Sequence, residues 1–119
     1  MNSNTEYLFA YGTLQQPTTN YYAALVHQNC EIIGRGYFYG TLKDFGDYPG
    51  AQIDPDKTQR VYGTLFKFLK NKEKTLQELD HYEGYIAEKP VASLFLRKEI
   101  EIYHQKESFL AITYLYKGH

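Results

Sequence analysis

The chain holds a single cysteine, Cys30. One thiol excludes an intrachain disulfide and any multi-cysteine zinc site, and it suits a reducing compartment. There is no charge excess either. Thirteen lysines and arginines stand against 14 aspartates and glutamates, which leaves no electrostatic footprint for nucleic acid or an acidic membrane. No apolar run approaches the roughly 20 residues of a membrane-spanning helix. The opening MNSNTEYLF has neither a charged n-region nor a long apolar stretch, so no secretory signal is expected. No linker, repeat or low-complexity segment divides the 119 residues. The expectation is one soluble, cytoplasmic domain over residues 1–119, with no nucleic-acid or membrane partner.

Catalytic signatures are also scarce. No GxSxG elbow, P-loop or GxGxxG occurs. His27, His81, His104 and His119 show no metal-ligand spacing with one another or with Cys30. A zinc site needs three or four convergent ligands, so these histidines read as surface or structural residues and no metal is expected. Cys30 lies near His27 in sequence, but a thiol–imidazole pair needs an alignment in space that this spacing does not supply.

What the chain has in quantity is tyrosine: 13, beside 7 phenylalanines and no tryptophan. Such chains carry half-buried sheets, in which the ring packs inward and the hydroxyl reaches water or a partner. With 43% hydrophobic residues a core forms without disulfides or metals. A first strand is expected over Tyr7 to Tyr11. Pro17 with Thr18, Thr19 or Asn20 opens and caps a short helix ending near His27. CEIIGRGYFYGTL reads as a strand that Gly34, Gly36 and Gly40 bend or open to another backbone. Turn chemistry follows at Gly46, Asp47, Pro49 and Gly50, and then RVYGTLFKFL as a strand. Asn71 can cap a helix that carries Leu76 and Leu79 at helical spacing until Gly84 stops it. After a loop through Pro90, two strands meet in a hairpin at Lys106 to Ser108. The fold class is α+β. Glycine-punctuated strands favour a small curved or closed mixed β-barrel with two short helices over a flat sheet.

Two stretches invite chemistry. LFAYGTLQ ends a strand on Gly12, which serves either a turn or a backbone that must approach a ligand closely. In LDHYEGY, Glu83 sits at the last turn of a helix between Tyr82 and Tyr85. The helix dipole and desolvation both disfavour its anionic form there, the direction a general acid or base near neutral pH requires. The alternative is a solvated glutamate that merely ends the helix.

Taken together, LFAYGTLQ, DFGDYPG, VYGTLFKF, LDHYEGY and AITYLY follow the order and spacing of the gamma-glutamylcyclotransferase-like superfamily. From Tyr7 to about Lys117 the chain resembles a short single-domain member, similar to the gamma-glutamylamine cyclotransferase branch. The resemblance implies a cyclotransferase that cleaves a gamma-glutamyl amine or peptide through attack by the substrate's own α-amine, releasing 5-oxoproline and a free amine. It implies Glu83 as the acid/base residue, Tyr11, Gly12, Thr13 and Leu14 as the loop that grips the gamma-glutamyl part, and Tyr116 as either a cavity residue or a structural one. It implies a small-molecule substrate and neither cofactor nor metal. Gln15-Gln16-Pro17 depart from the basic pair and glycine common in the branch, while Asn20 remains. Arg35 faces either the cavity or solvent. The other reading is a non-catalytic protein that binds a small metabolite in the same cavity.

Overall fold

The computed structural model describes residues 5–44, 49–86, 88–89 and 93–117. In chain order these form β1 (Tyr7–Ala10), a 3₁₀ turn (Thr13–Gln15), α1 (Tyr21–Asn29), β2 (Cys30–Asp44), β3 (Pro49–Ile53), β4 (Arg60–Phe68), α2 (Lys72–Glu83), β5 (Phe95–His104) and β6 (Glu107–Tyr116). Strand neighbours run β3-β2-β4-β1-β6-β5, and β5 returns to β2 through Tyr37 and Tyr103. Five strands therefore close into a barrel, and β3 extends β2 outside it. Only β1 and β6 run parallel; the remaining pairs are antiparallel. The mixed α+β barrel expected from the strand pattern is the fold.

Closure rests on the glycines of β2. The ladder with β4 slips between Ile32 and Gly34, and Gly34 takes φ +151, a conformation that side chains resist. A Cβ at Gly34 would lie 2.5 Å from the His104 ring, and one at Gly36 would lie 2.9 Å from the Tyr103 carbonyl oxygen. Both positions stay bare because β5 passes directly over them.

Both faces of β1 and of Ala111–Leu115 in β6 are covered, so burial runs on there without alternating. One face fills the barrel with Phe9, Phe38, Val61, Leu65, Ile102 and Ala111. The other carries Leu8, Ala10, Phe66, Phe68 and Ile112 against Ala23 and Val26 of α1 and Leu76 and Leu79 of α2. Thus β1, four residues long, is held from inside and outside at once, and the loop after it leaves a firm base.

Some local expectations shift. Strand β1 stops at Ala10, and α1 continues to Asn29 with Asn20 as its cap. Asn71 precedes α2 in a left-handed conformation without a side-chain cap bond. Its side chain instead donates to Asn29 Oδ1 at 2.9 Å. Asn29 is buried, and a buried amide needs a partner more than an exposed helix end does. The hairpin turns at Gln105 and Lys106, so Glu107 and Ser108 already belong to β6. Gly46, Asp47, Pro90 and His119 lie outside the described residues. Among the described residues no helix is long and apolar enough to cross a membrane.

Candidate active site

Helix α2 ends sharply. Gly84 adopts φ 71 and ψ 34, and its N–H reaches the His81 carbonyl at 3.3 Å while Tyr85 N–H reaches that of Asp80 at 2.8 Å. This paired-bond stop leaves Glu83 as the last helical residue. Its side chain lines a cavity of about 220 Å³. Phe9 and Ala10 of β1, the Tyr11–Leu14 loop, Tyr82, Leu94 and Phe95, and Thr113 and Tyr114 of β6 form the rest of the wall. The volume is below the roughly 300–1,000 Å³ of drug-sized ligand sites, which suits a small metabolite. Burial pushes the Glu83 carboxyl from 4.5 up to about 7. Among the described residues its carboxylate accepts no hydrogen bond. Desolvation by burial is the cause of the raised value.

The facing loop is braced from behind. Gln15 N–H bonds the Gly12 carbonyl at 3.3 Å to start the 3₁₀ turn, so the N–H groups of Thr13 and Leu14 precede the first donor that finds an acceptor within it. The Gln15 side chain donates to the Gly12 carbonyl at 3.3 Å and accepts from Thr64 Oγ1 at 3.0 Å. His27 Nε2 donates to the Gln15 carbonyl at 3.0 Å. Gln15 thus ties the loop to β4 and α1.

Asn20 joins helix cap to cavity mouth. Its Oδ1 accepts from Ala23 N–H at 2.9 Å, and its Nδ2 donates to the Tyr82 hydroxyl at 3.0 Å. The Tyr82 hydroxyl shares a second hydrogen bond with Thr13 Oγ1, 2.7 Å away, while the Tyr82 ring stacks on Tyr22 at 4.5 Å. Asn20→Ala removes both bonds and is expected to cost about 1–2 kcal/mol in urea unfolding. Asn20→Ser keeps the cap and should lose the smaller share. A serine variant as stable as the parent would refute the second role.

Of the residues expected at the site, Tyr11, Gly12, Thr13, Leu14 and Glu83 meet in this cavity, and Tyr116 does not line it. The Tyr116 ring packs edge-on against Phe95 at 5.9 Å. Tyr114, on the same face of β6, takes the wall, and its hydroxyl donates to Asp80 Oδ1 at 2.6 Å. Asp80 in turn holds Arg97 through both carboxylate oxygens, at 3.1 and 2.9 Å. Sequence reasoning missed Tyr114, Tyr82 and the bridging part of Asn20; only the paired Tyr114/Tyr116 spacing hinted at the first. Tyr11 presents its ring, because its hydroxyl donates to the Tyr114 carbonyl at 2.5 Å and accepts from Ala51 N–H at 3.2 Å. Burial raises that phenol well above its ordinary range. Arg35 is exposed, its guanidinium 4.6 Å over the Tyr62 ring. Cys30 is buried, which pushes its thiol up to about 12 and keeps it from acting as a nucleophile.

A family profile described as gamma-glutamyl cyclotransferase, AIG2-like, matches residues 8–119. No curated protein matches the sequence. An AIG2-like protein from Mus musculus shares the fold with a TM-score of 0.65 at 20% identity, over 97% of this chain and 79% of that one. YkqA from Bacillus subtilis gives 0.68 at 20% identity, over 96% of this chain but 41% of its own. A gamma-glutamyl cyclotransferase gives 0.62 at 16% identity, over 94% and 66%. The chain therefore spans less than half of YkqA and about two-thirds of the last.

Proposed function

This chain belongs to the gamma-glutamyl cyclotransferase, AIG2-like family, and from that premise we propose that it cleaves a gamma-glutamyl amine or peptide, releasing 5-oxoproline and a free amine. The observation that carries the reading is Glu83, desolvated and accepting no hydrogen bond among the described residues, lining one cavity with Gly12, Thr13 and Leu14. The nucleophile lies within the substrate, so neither a serine nor the buried Cys30 is required. Glu83 takes a proton from the substrate α-ammonium. The freed amine attacks the γ-carbonyl carbon, closing the five-membered ring, and negative charge moves onto the carbonyl oxygen. As that intermediate collapses, the scissile C–N bond breaks and Glu83 hands its proton to the leaving nitrogen. It then takes the second proton from the new ring nitrogen and passes it on, so the amine leaves as an ammonium ion and Glu83 is again ionised. No water is consumed. The loop N–H groups of Gly12, Thr13 and Leu14 hold the gamma-glutamyl part in the manner of a backbone nest, and the Tyr11 and Tyr114 rings wall it in. Positioned proton transfer contributes about 10²–10⁴-fold; the rest comes from holding the substrate folded for attack.

The base must be ionised to act, and its carboxyl titrates at about 7. Turnover at low substrate is therefore expected to rise with pH through about 7 and level off above it. Release of 5-oxoproline from a panel of gamma-glutamyl compounds, followed between about pH 5.5 and 8.5, tests both points. Tight binding with no 5-oxoproline at any pH would favour the metabolite-binding reading instead.

A further inference from the structure

Tyr37, Tyr39, Tyr62 and Tyr103 pack into neither core cluster. Tyr37 pairs with Tyr62 of β4 on one side and with Tyr103 of β5 on the other, so three tyrosines stand in a row across the sheet. Tyr39 follows two residues along β2, on the same face. The intervening Phe38 and Val61 point into the barrel, which puts the four rings on its outer wall. Ring centres lie 5.3 Å apart for Tyr37 and Tyr103, 5.5 Å for Tyr37 and Tyr62, and 5.6 Å for Tyr37 and Tyr39. An arginine stands beyond the row on each side. Arg60, paired with Tyr39, lies 4.4 Å over the Tyr37 ring, and Arg35 lies 4.6 Å over the Tyr62 ring. Lys57 Nζ is 5.9 Å from the Tyr39 ring. All three cations are exposed, and among the described residues neither arginine is in an ion pair. Glu101 borders the face, accepting from the Tyr103 hydroxyl at 2.6 Å and from Ser108 Oγ at 3.2 Å. None of these residues lines the cavity.

We propose that this outer face of β2, β4 and β5 binds single-stranded nucleic acid. The balance of 13 cations against 14 acids holds for the chain as a whole. Here, among the described residues, Arg35, Arg60 and Lys57 meet Glu101. A guanidinium laid flat on a ring keeps its N–H edge for a phosphate oxygen and its outer plane for a base. Arg35 pairs with Thr64, four residues along β4 from Arg60, which sets the two about 13 Å apart along the strands. A nucleic-acid strand that crosses the tyrosine row therefore meets a cation on either side, with its bases against the rings between. Charge also separates this occupant from others. Two copies of the chain placed face to face would set cation against cation, and an acidic peptide would leave the rings without flat partners.

Titrating the full chain into a labelled single-stranded RNA of about 12 nucleotides, followed by fluorescence anisotropy, tests this. Saturable binding is expected, at about 10⁻⁶–10⁻⁴ M near physiological salt. At about 0.7 per phosphate, three cations give a slope of about −2 in log K against log salt, or about twentyfold weaker binding from about 50 to about 200 mM. Arg35→Gln with Arg60→Gln should flatten that slope to about −0.7. Tyr62→Ala should weaken binding about tenfold and leave the slope unchanged, which separates stacking from charge. A duplex of the same sequence hides its base faces and should bind at least about tenfold less well. That comparison uses the unaltered chain and holds even where a variant fails to fold. No binding at about 50 mM salt, or variants that bind like the parent, would overturn the proposal. So would equal binding of the duplex or of polyglutamate, which would make the face a general anion or acidic-peptide site. Self-association of the chain that Tyr62→Ala abolishes would overturn it as well, by giving the face to a second copy.

Discussion

Replacing Glu83 by glutamine is expected to slow 5-oxoproline release by about 10²–10⁴-fold, roughly 3–5 kcal/mol of barrier. Glutamine keeps the size and reach of the side chain but cannot accept the ammonium proton. The same variant is expected to be more stable than the parent at alkaline pH. Burial raises the carboxyl from 4.5 to about 7, so between those values the folded chain binds more protons than the unfolded one. Stability from this group is fully present below about 4.5 and is lost as pH rises through about 7. At 1.36 kcal/mol per unit the ionised form costs up to about 3 kcal/mol. Water in the open cavity reduces that, and glutamine's own amide is also desolvated, so a gain of about 1–2 kcal/mol is expected at pH 8, shrinking toward pH 4.5. Urea midpoints at the two pH values measure it. A glutamine variant that is less stable than the parent at pH 8 would mean that the carboxylate supports the fold, and a fully active one would remove it from the chemistry.

Gly63→Ala is expected to damage stability and turnover together. A Cβ there would lie 2.3 Å from the Ala10 carbonyl oxygen and 2.7 Å from Phe9 Cζ. Ala10 is the last residue of β1 and pairs with Thr64, so the backbone that must yield is the one that launches the Gly12–Leu14 loop. Overpacking of this kind costs about 1–3 kcal/mol. Displacing the loop by about 1 Å is enough to lose about 10²-fold in kcat/KM. Denaturation and kinetics on one preparation check both effects. A variant that loses stability but keeps kcat/KM would separate the loop from the chemistry.

Glu83 was legible because its signal is local: a carboxylate directly before a glycine that ends a helix. The barrel was legible through Gly34 and Gly36, whose bare backbones show that another strand must pass over them. What escaped was set by distance along the chain. Asn71 was expected to cap α2, yet Asn29, 42 residues away, claims its amide. Tyr114 and Tyr116 share one face of β6, so alternation does not tell them apart. The parallel register of Leu8 with Ile112 brings Tyr114 level with the end of β1 and carries Tyr116 beyond it. The link from Asn20 to Tyr82 spans 62 residues and has no trace in either local pattern.

The place of β1 between β4 and β6 bears on the order in which the molecule is assembled. During synthesis the first strand finds no partner until the segment from Arg60 to Phe68 has left the ribosome, and its second partner comes only with Glu107–Tyr116. Contacts of such long sequence separation slow folding, because loop closure must come before they contribute. The nascent chain therefore carries an unpaired apolar strand for most of its elongation, a stretch prone to aggregation. The Gly12–Leu14 loop and Tyr114 come together only when that strand is clamped on both sides. The cavity is therefore complete only in the finished barrel, and a ligand that binds it stabilises that state.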